Sequence, residues 1–348
     1  MSQYDELCGF ENLYNAHSAA RKGKRGKREV IEFEMNLAEN ICCLQRELQD
    51  RTYRQRGYYH FMLYEPKARS IFAPSYIDRV VQHCLCDNIL ASELEPCLIY
   101  DNAACRVGKG THFAIGRLSR FLSAHYKRHG ATGSFLKCDI QKYFDNIDHA
   151  VIKQKLARVF CDPDVFRLLC DIIDSYEITP GKGLPLGNQT SQWFALYYLD
   201  SLDRLIKERL RVRHYVRYMD DFVLVHEDKA FLRECLQEIQ AHCRDILGLD
   251  LNRKTQIFPV KNGVDFLGWH HYLTDTGKVV RKLLLSSKRR LRRRMKGLQN
   301  GYASGLLDWE DVKRSIASTD GHLQHGNTWR LRAKIVGSTG FVRKMPLG

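Results

Sequence analysis

The sequence has no long uncharged apolar run, and its first residues, "MSQYDELCGF", lack the basic segment followed by an apolar one that marks a secretory signal. We therefore expect no membrane-spanning helix and a cytoplasmic protein of bacterial or phage origin. Acidic residues are too few to balance the basic ones, with 40 Asp and Glu against 55 Lys and Arg and a net charge of +15. This excess favours a polyanionic partner, with nucleic acid as the first candidate and an anionic membrane surface as the second.

The twelve cysteines also lack a recognisable pattern. Their spacing fits neither a disulfide framework nor a zinc site, which needs two-residue spacers and a second pair of ligands. The tightest group, "QHCLCDN", holds His83, Cys84 and Cys86, and we expect buried thiols there rather than metal ligands. Apolar residues make up 44% and charged residues 27%, which indicates a globular chain whose 348 residues form two or three subdomains.

Hydrophobic periodicity predicts helices separated by a few short strands. Helices are expected around 37–48, from about 76, after the glycine-rich turn at 108–110, after a cap at Asn146 or Asp148, from about 191, over 230–247 and from about 283. A buried strand is expected at 135–140, a hairpin at 213–228, and extended segments at 249–260 and 264–281. This order indicates an α+β fold in which a small antiparallel sheet is flanked by helical lobes.

The predicted hairpin, "RHYVRYMDDFVLVHED", places Asp220 and Asp221 side by side between apolar runs. Neighbouring carboxylates repel each other, so one of them should resist ionisation unless a partner offsets the cost. A solvated surface turn is the alternative interpretation. The apolar flanks favour a buried hairpin, and the turn lacks the Asn-Gly or Gly-Gly of a purely structural one.

A third carboxylate, Asp139, ends the predicted strand in "KCDIQKYFDNID". If that strand lies beside the hairpin, the three carboxylates share one spot, and two Mg²⁺ ions, with Mn²⁺ as a substitute, would neutralise them. Two metals about 4 Å apart also suit in-line phosphoryl transfer.

Together these stretches resemble the palm of reverse transcriptases. "YMDD" in an apolar hairpin follows "CDIQKYFDNID" by some eighty residues, and further blocks stand in the family's order. They are "KARSIFAPSYIDRVVQ", "ACRVGKGTH", "LPLGNQTSQ", "LNRKT" and "VDFLGW", so that the resemblance covers about residues 60–270. It implies a right-hand polymerase with an N-terminal extension and fingers at 1–125, a palm at 126–275 that carries a finger insertion around 146–185, and a basic helical thumb at 276–348.

The resemblance implies a role for each matching residue. Asp139 and Asp220 would bind the metals with the Ile140 carbonyl, and Asp221 would be an accessory ligand. Phe144 would crowd a ribose 2′-OH and so select deoxynucleotides, and Lys254 would be the general acid for pyrophosphate. The incoming nucleotide would contact Lys67, Arg69, Phe144, Leu186, Gly187 and Gln192. Template and primer would contact Arg106, Lys109, Phe266, Leu267, Gly268, Trp269, Lys288, Arg289, Arg292 and Arg293.

The fourth block departs from the common reverse transcriptase pattern of Gln-Gly, three residues and Ser-Pro. Here Leu186 replaces the Gln and Gln192 replaces the Pro, which resembles the enzymes of diversity-generating retroelements. That resemblance implies copying of a template-repeat RNA into cDNA with errors opposite adenine. It also implies a small basic accessory variability protein, typically a pentameric helical barrel, as the partner beside template RNA, primer and deoxynucleotides.

Three other interpretations stay open at the level of sequence. A retron or anti-phage defence enzyme would share the carboxylates and use a structured non-coding RNA. A non-catalytic RNA-binding scaffold could keep the fold, because fold does not fix function. An RNA-dependent RNA polymerase is disfavoured by Phe144.

Overall fold

The computed structural model describes residues 2–64 and 68–343. The chain divides into two compact units. The first comprises Met1–Gly110, Cys138–Phe222 and Glu234–Thr255, and the second comprises Thr111–Lys137, Val223–Arg233 and Gln256–Gly348. These units follow from packing alone, so the division into fingers, palm and thumb stays a prediction.

Helices and short antiparallel strands alternate along the described chain. The helices are α1 (Gln3–Leu7), α2 (Phe10–Ala20), α3 (Arg28–Met35), α4 (Leu37–Gln49), α5 (Tyr76–Leu85), α6 (Ala91–Leu94), α7 (Thr111–His129), α8 (Tyr143–Asn146), α9 (His149–Leu156), α10 (Pro163–Asp174), α11 (Gln189–Tyr198), α12 (Asp200–Arg204), α13 (Lys229–Leu247), α14 (Leu285–Ala303), α15 (Trp309–Leu323) and α16 (Trp329–Ser338). The strands are β1 (Tyr58–Leu63), β2 (Arg69–Pro74), β3 (Ser134–Asp139), β4 (His214–Tyr218), β5 (Asp221–His226), β6 (Gln256–Pro259), β7 (Val264–Phe266), β8 (Trp269–Leu273) and β9 (Val279–Leu283).

Most helices expected from periodicity are confirmed. Helix α13 covers the predicted 230–247, and α5 begins at Tyr76. The Asp148 side chain caps α9 by accepting hydrogen bonds from the N–H groups of Ala150 and Val151. The single long helix expected from about 191 is wrong in one respect, because the chain leaves helical geometry at Leu199 and continues as the short α12.

The strands form three sheets. One is the antiparallel pair β1–β2, the second has the order β4-β5-β3-β6, and the third has the order β7-β8-β9. The hairpin of β4 and β5 and the strand β3 were expected from the sequence, and β3 is the neighbour of β5 as the carboxylate hypothesis required. The β1 strand was missed because most of its side chains are exposed, which leaves no apolar alternation to detect.

The second unit has its own apolar core beneath the third sheet. Buried side chains from α7, the sheet and the C-terminal helices pack together there: Ile115, Trp269, Leu283, Leu291, Met295 and Leu323. Gly326 lies against this core, and a Cβ atom at that position would stand 1.9 Å from the Trp269 ring. Only glycine therefore fits between α15 and α16.

The described helices include none that is long and apolar enough to cross a membrane. All twelve cysteines are free thiols, and Cys84 and Cys86 are buried, as expected for apolar packing.

Candidate active site

Asp139 occupies the C-terminal end of β3, where the sheet stops and the chain turns towards α8. Two backbone hydrogen bonds hold this end in place: the Gln141 N–H donates to the Asp250 carbonyl at 2.9 Å, and the Asn252 N–H donates to the Asp139 carbonyl at 2.7 Å. Neither bond uses the carbonyl of Ile140, which lies between them. The segment "LNRKT", which begins at Leu251, is therefore fixed beside Asp139.

The Asp220 and Asp221 pair lies at the tip of the β4–β5 hairpin. Tyr218 ends β4 and Asp221 begins β5, so Met219 and Asp220 form a two-residue turn. Met219 has a φ of 54°, the left-handed conformation that short hairpin turns favour and that is unusual for a side chain of this size.

The electrostatics of the hairpin tip join residues from three parts of the sequence. Burial, and then the negative charges of Asp139 and Asp221, raise the pKa of the Asp220 carboxyl to about 6, while a backbone hydrogen bond and Arg69 act in the opposite direction. Asp139 and Arg69 thus both act on Asp220, although they are distant from it in sequence. Lys67, the second basic residue predicted for nucleotide binding, lies outside the described residues.

The donor set suits a hard divalent cation. Three carboxylates and the carbonyl of Ile140 supply only oxygen ligands, which Mg²⁺ and Mn²⁺ accept. Within residues 2–64 and 68–343, no group of three or more His, Cys, Asp and Glu side chains is closed around a common point as a finished metal site. The oxygen donors of Asp139, Asp220, Asp221 and Ile140 nevertheless fit Mg²⁺ in their chemistry.

The fourth block is tied to the strand that begins with Arg69. The Phe72 N–H donates to the Leu186 carbonyl at 3.0 Å. Gly187 has a φ of 123°, and a Cβ atom there would stand 3.1 Å from Ile71 Cγ2. Gln192 is half-buried on α11. The packing of the block on β2 explains why a glycine is needed at position 187.

Phe144 is half-buried on α8, five residues after Asp139. Its carbonyl accepts a hydrogen bond from the Leu184 N–H at 2.8 Å, which links it to the start of the fourth block. The neighbouring Tyr143 is buried, and its hydroxyl donates to the Ala195 carbonyl. Phe144, the fourth block and β2 are thus joined by direct backbone contacts.

Arg106 and Lys109 are engaged within the protein. The side chain of Arg106 is 5% exposed. Its guanidinium donates to both carboxylate oxygens of Glu95 at 2.8 Å and also to the carbonyls of Ile99 and Asn102. The ammonium of Lys109 donates to the Tyr100 carbonyl at 2.8 Å. A contact between Arg106 and nucleic acid would require these bonds to break.

Lys254 is exposed, three residues after the Leu251 bridge to Ile140. Its backbone N–H donates to the Asn252 side chain at 3.1 Å. Because Asn252 is bonded to the Asp139 backbone, the Lys254 side chain starts from a segment that is fixed next to the carboxylates.

The predicted nucleic-acid contacts of the second unit differ in exposure. Phe266 and Trp269 are buried, and Trp269 belongs to the core described above. Between them, Leu267 and Gly268 form a turn in which both residues have positive φ values, 48° and 86°. On α14, Lys288 is half-buried, whereas Arg289, Arg292 and Arg293 are exposed. Leu267, Gly268 and the α14 cations are therefore the members of this set that a strand could reach.

Arg217 and Asp203, which were not predicted from the sequence, lie directly behind the hairpin tip. Both side chains are fully buried, and their ion pair has an N–O distance of 2.6 Å. The signal was present, because an arginine inside the apolar run "YVRY" needs a buried acidic partner. The spacing of residues in the sequence does not identify the partner of Arg217, since Asp203 lies fourteen residues upstream, on α12.

Comparison with known proteins agrees with this arrangement. Residues 65–271, more than half of the chain, match the family described as reverse transcriptase (RNA-dependent DNA polymerase). Curated protein sequences give no match. The structure is similar to that of a telomerase from Candida albicans in complex with a TWJ fragment of telomeric RNA, with a TM-score of 0.51 and 15% identity over 83% of this chain and 57% of that one. Apo telomerase from Candida tropicalis gives a TM-score of 0.51 and 14% identity over 80% of this chain and 58% of that one.

The chain thus spans little more than half the length of these telomerases, and the likeness concerns the fold. It confirms the expected polymerase-like fold of helices with small antiparallel sheets, and the family match agrees with the expected enzyme class, RNA-directed DNA polymerase. By the match over residues 65–271, this chain belongs to the reverse transcriptase family.

Proposed function

We propose that the chain copies RNA into DNA with two divalent cations held by Asp139, Asp220, Asp221 and the carbonyl of Ile140. The observation that carries this proposal is the half-buried position of Asp220, whose pKa two further carboxylates raise and Arg69 lowers. Burying unpaired negative charge is costly, and cations of this kind relieve it. When bound, the ions would activate the attacking hydroxyl and stabilise the leaving pyrophosphate.

The protein groups around the carboxylates have their own tasks in this proposal. Arg69, with Lys67, binds the triphosphate, because guanidinium and ammonium groups both favour phosphate oxygens. Phe144 excludes a 2′-OH by its bulk, and the backbone of Leu186 and Gly187, with Gln192, contacts the nucleotide. Lys254 delivers a proton to pyrophosphate.

Template and primer are held by a second set of groups. The turn at Leu267 and Gly268 contacts the primer strand, where the absence of a side chain at 268 allows close approach. The cations of α14 follow the phosphate backbone, so binding weakens as salt is raised.

Primer extension tests the reaction. Oligo(dT)-primed poly(rA), dTTP and Mg²⁺ are combined with the wild type or with the Asp220→Ala, Asp221→Ala double variant. We expect incorporation by the wild type only, and we expect Mn²⁺ to bind to the wild type more tightly than to the double variant. Equal incorporation by both proteins would refute the assignment and favour a scaffold that keeps the polymerase fold.

The particular task that the fourth block favours is mutagenic cDNA synthesis in a diversity-generating retroelement. Leu186 removes a polar side chain, and Gln192 replaces a rigid ring with an amide, in a block whose backbone is packed on β2 beside Arg69. Altered contacts around the nucleotide are a physical route to errors at template adenines. A small basic pentameric accessory protein would then help to position the template RNA.

Sequencing of the cDNA tests this narrower proposal. We expect errors concentrated opposite template adenines, and a Leu186→Gln, Gln192→Pro double variant should reduce them. An error rate equal at all four template bases would contradict it. Such a result would favour a retron-type or defence enzyme, while leaving the polymerase reaction unaffected.

A further inference from the structure

A fully buried arginine lies behind the hairpin tip, and it contacts the turn itself. The Nη1 group of Arg217 donates to the Met219 carbonyl at 3.0 Å. Met219 immediately precedes Asp220, so the peptide that carries the central carboxylate is bonded to a buried side chain. From this contact we infer that Arg217 is a positioning residue for Asp220, an inference that rests on the proposed two-cation function.

Asp203 holds the guanidinium in a fixed orientation. Its two carboxylate oxygens accept hydrogen bonds from Nε at 2.8 Å and from Nη2 at 2.6 Å. The Leu196 carbonyl accepts a further bond from Nη2 at 3.1 Å. A planar guanidinium bound on two sides cannot rotate, so Nη1 points in one direction only.

The carboxylate of Asp203 is itself fixed. The Tyr215 hydroxyl donates to it at 2.6 Å, from the same strand that carries Arg217. The backbone of Arg217 is also fixed on both sides, because its N–H donates to the Asp101 carbonyl at 3.1 Å and its carbonyl accepts from the Ala103 N–H at 2.9 Å. The Arg217 side chain is therefore held at both ends, by its own hydrogen-bonded backbone and by the fixed carboxylate of Asp203.

The turn needs such support because of its conformation. Met219 has a φ of 54°, and a left-handed conformation in a residue other than glycine persists only where its surroundings impose it. The turn must also hold Asp220 close to Asp139 and Asp221, which repel it. The hydrogen bond from Arg217 opposes both tendencies, so the carboxylate stays in place before a cation arrives.

Two substitutions separate positioning from folding. In the double variant Arg217→Met, Asp203→Leu, an apolar pair of similar volume replaces the ion pair, an exchange that buried sites often tolerate. In Arg217→Lys, a positive charge remains for Asp203, but one ammonium cannot bond Asp203 in bidentate fashion and also reach Met219. Both changes remove the bond to the turn.

The control is a second ion pair made by α12, the helix that carries Asp203. Lys155 pairs with Asp200 of α12, with side chains 12% and 13% exposed, and none of the contacts described for the hairpin turn involves this pair. The variant Lys155→Met, Asp200→Leu therefore removes an ion pair of similar kind without touching Met219.

We expect the Arg217→Met, Asp203→Leu protein to unfold within about 4 °C of the wild type. Its kcat on oligo(dT)-primed poly(rA) should fall about 100-fold, with the KM for dTTP little changed. Its affinity for Mn²⁺, measured by calorimetry without nucleic acid, should fall about tenfold. Amide hydrogens at Met219 and Asp220 should exchange faster. Arg217→Lys should show the same losses, and the Lys155→Met, Asp200→Leu control should show none of them.

The inference would be overturned if the Arg217→Met, Asp203→Leu protein folds and its kcat, Mn²⁺ affinity and hydrogen exchange all equal those of the wild type. If that variant does not fold, Arg217→Lys decides alone, and full activity with wild-type exchange at the turn would refute it. Failure of the proposed function is recognised separately, by equal incorporation in the wild type and in the Asp220→Ala, Asp221→Ala protein. Hydrogen exchange and Mn²⁺ affinity would still decide whether Arg217 holds the turn.

Discussion

At the scale of single residues, the site is defined by charge that the protein does not neutralise. Burial, and then Asp139 and Asp221, raise the pKa of Asp220 to about 6, while a backbone hydrogen bond and Arg69 oppose this rise. Asp203, by contrast, is fully buried and is paired with Arg217, which also contacts the hairpin turn. The contrast indicates that Asp220 is available to bind a ligand, whereas Asp203 has a structural role.

Asp220→Asn should stabilise the metal-free protein, because it removes a half-buried negative charge that two other carboxylates repel. In EDTA at pH 8, we expect the free energy of unfolding to rise by about 1–3 kcal/mol. Added Mg²⁺ should stabilise the wild type and have little effect on the variant. Urea titrations measure both effects, and Asp275→Asn, at an exposed position, is the control. A variant less stable than the wild type in EDTA would contradict this interpretation.

Phe144 should govern the choice of sugar. Phe144→Ala should reduce the preference for dTTP over UTP about 10- to 100-fold, because the space for a 2′-OH opens. Phe144→Tyr keeps the ring and should keep the preference. Single-nucleotide incorporation at matched primer ends gives the kcat/KM ratios. An unchanged ratio in Phe144→Ala would mean that the ring serves packing alone.

His271 on β8 makes stability depend on pH. Burial, and then Arg281, lower the pKa of this fully buried histidine to about 3, while the unfolded chain binds the proton near 6.5. Stability is therefore lost as pH falls through 6.5, by about 2 kcal/mol at pH 5 relative to pH 7.5. In urea titrations His271→Gln should remove this loss, and His60→Gln, at an exposed position, should not. Equal losses in all three proteins would contradict this assignment.

At the scale of secondary-structure elements, the site is built from ends and turns. Asp139 ends β3, Asp220 and Asp221 stand where β4 passes into β5, and Arg69 begins β2. Strand ends suit this purpose, because the paired interior of each strand fixes the backbone while the last side chain stays accessible. Helix α14 likewise combines packing with accessible side chains, because Leu291 and Met295 are buried and Arg289 and Arg292 are exposed.

The exposed arginines of α14 should set the salt dependence of binding to nucleic acid. Replacing Arg289 and Arg292 with Gln should lower the slope of log K against log salt by about 2. Fluorescence anisotropy with a labelled RNA–DNA primer-template measures the slope. Lys313 and Arg314 on α15 pair with Glu310 and Asp311 of their own helix, so their replacement by Gln is the control and should change the slope less. Equal slopes in the wild type and the α14 variant would argue against a phosphate contact.

At the scale of the whole molecule, local patterns were predictable and distant pairings were not. Two short apolar runs around a turn predicted the β4–β5 hairpin, and a polar cap at Asn146 or Asp148 predicted the start of α9, which the structure places at Asp148. The partner of Arg217 lies on another element, and no local pattern indicates which carboxylate pairs with a buried arginine. The engagement of Arg106 with Glu95 escaped notice for the same reason, since a basic residue in a glycine-rich turn looks solvated from sequence alone.

Sequence motifs therefore indicate the family, whereas packing determines which residues of a motif are accessible. Ordered motifs led to the family, since their residues are defined by chemistry and recur in a fixed sequence order. The burial of Trp269 and Phe266, by contrast, follows from core packing in the second unit, which the letters "VDFLGW" do not reveal.

A catalytic centre built on Asp139 and Asp220 is tested most directly by comparing two aspartates of one short segment. Asp139 ends β3 and its negative charge raises the pKa of Asp220, whereas Asp145 lies six residues later in the chain, on α8. Single-turnover incorporation of dTTP on oligo(dT)-primed poly(rA) should fall at least about 1,000-fold in Asp139→Asn and stay near the wild-type rate in Asp145→Asn. Comparable rates in the two variants would contradict a catalytic centre built on Asp139 and Asp220.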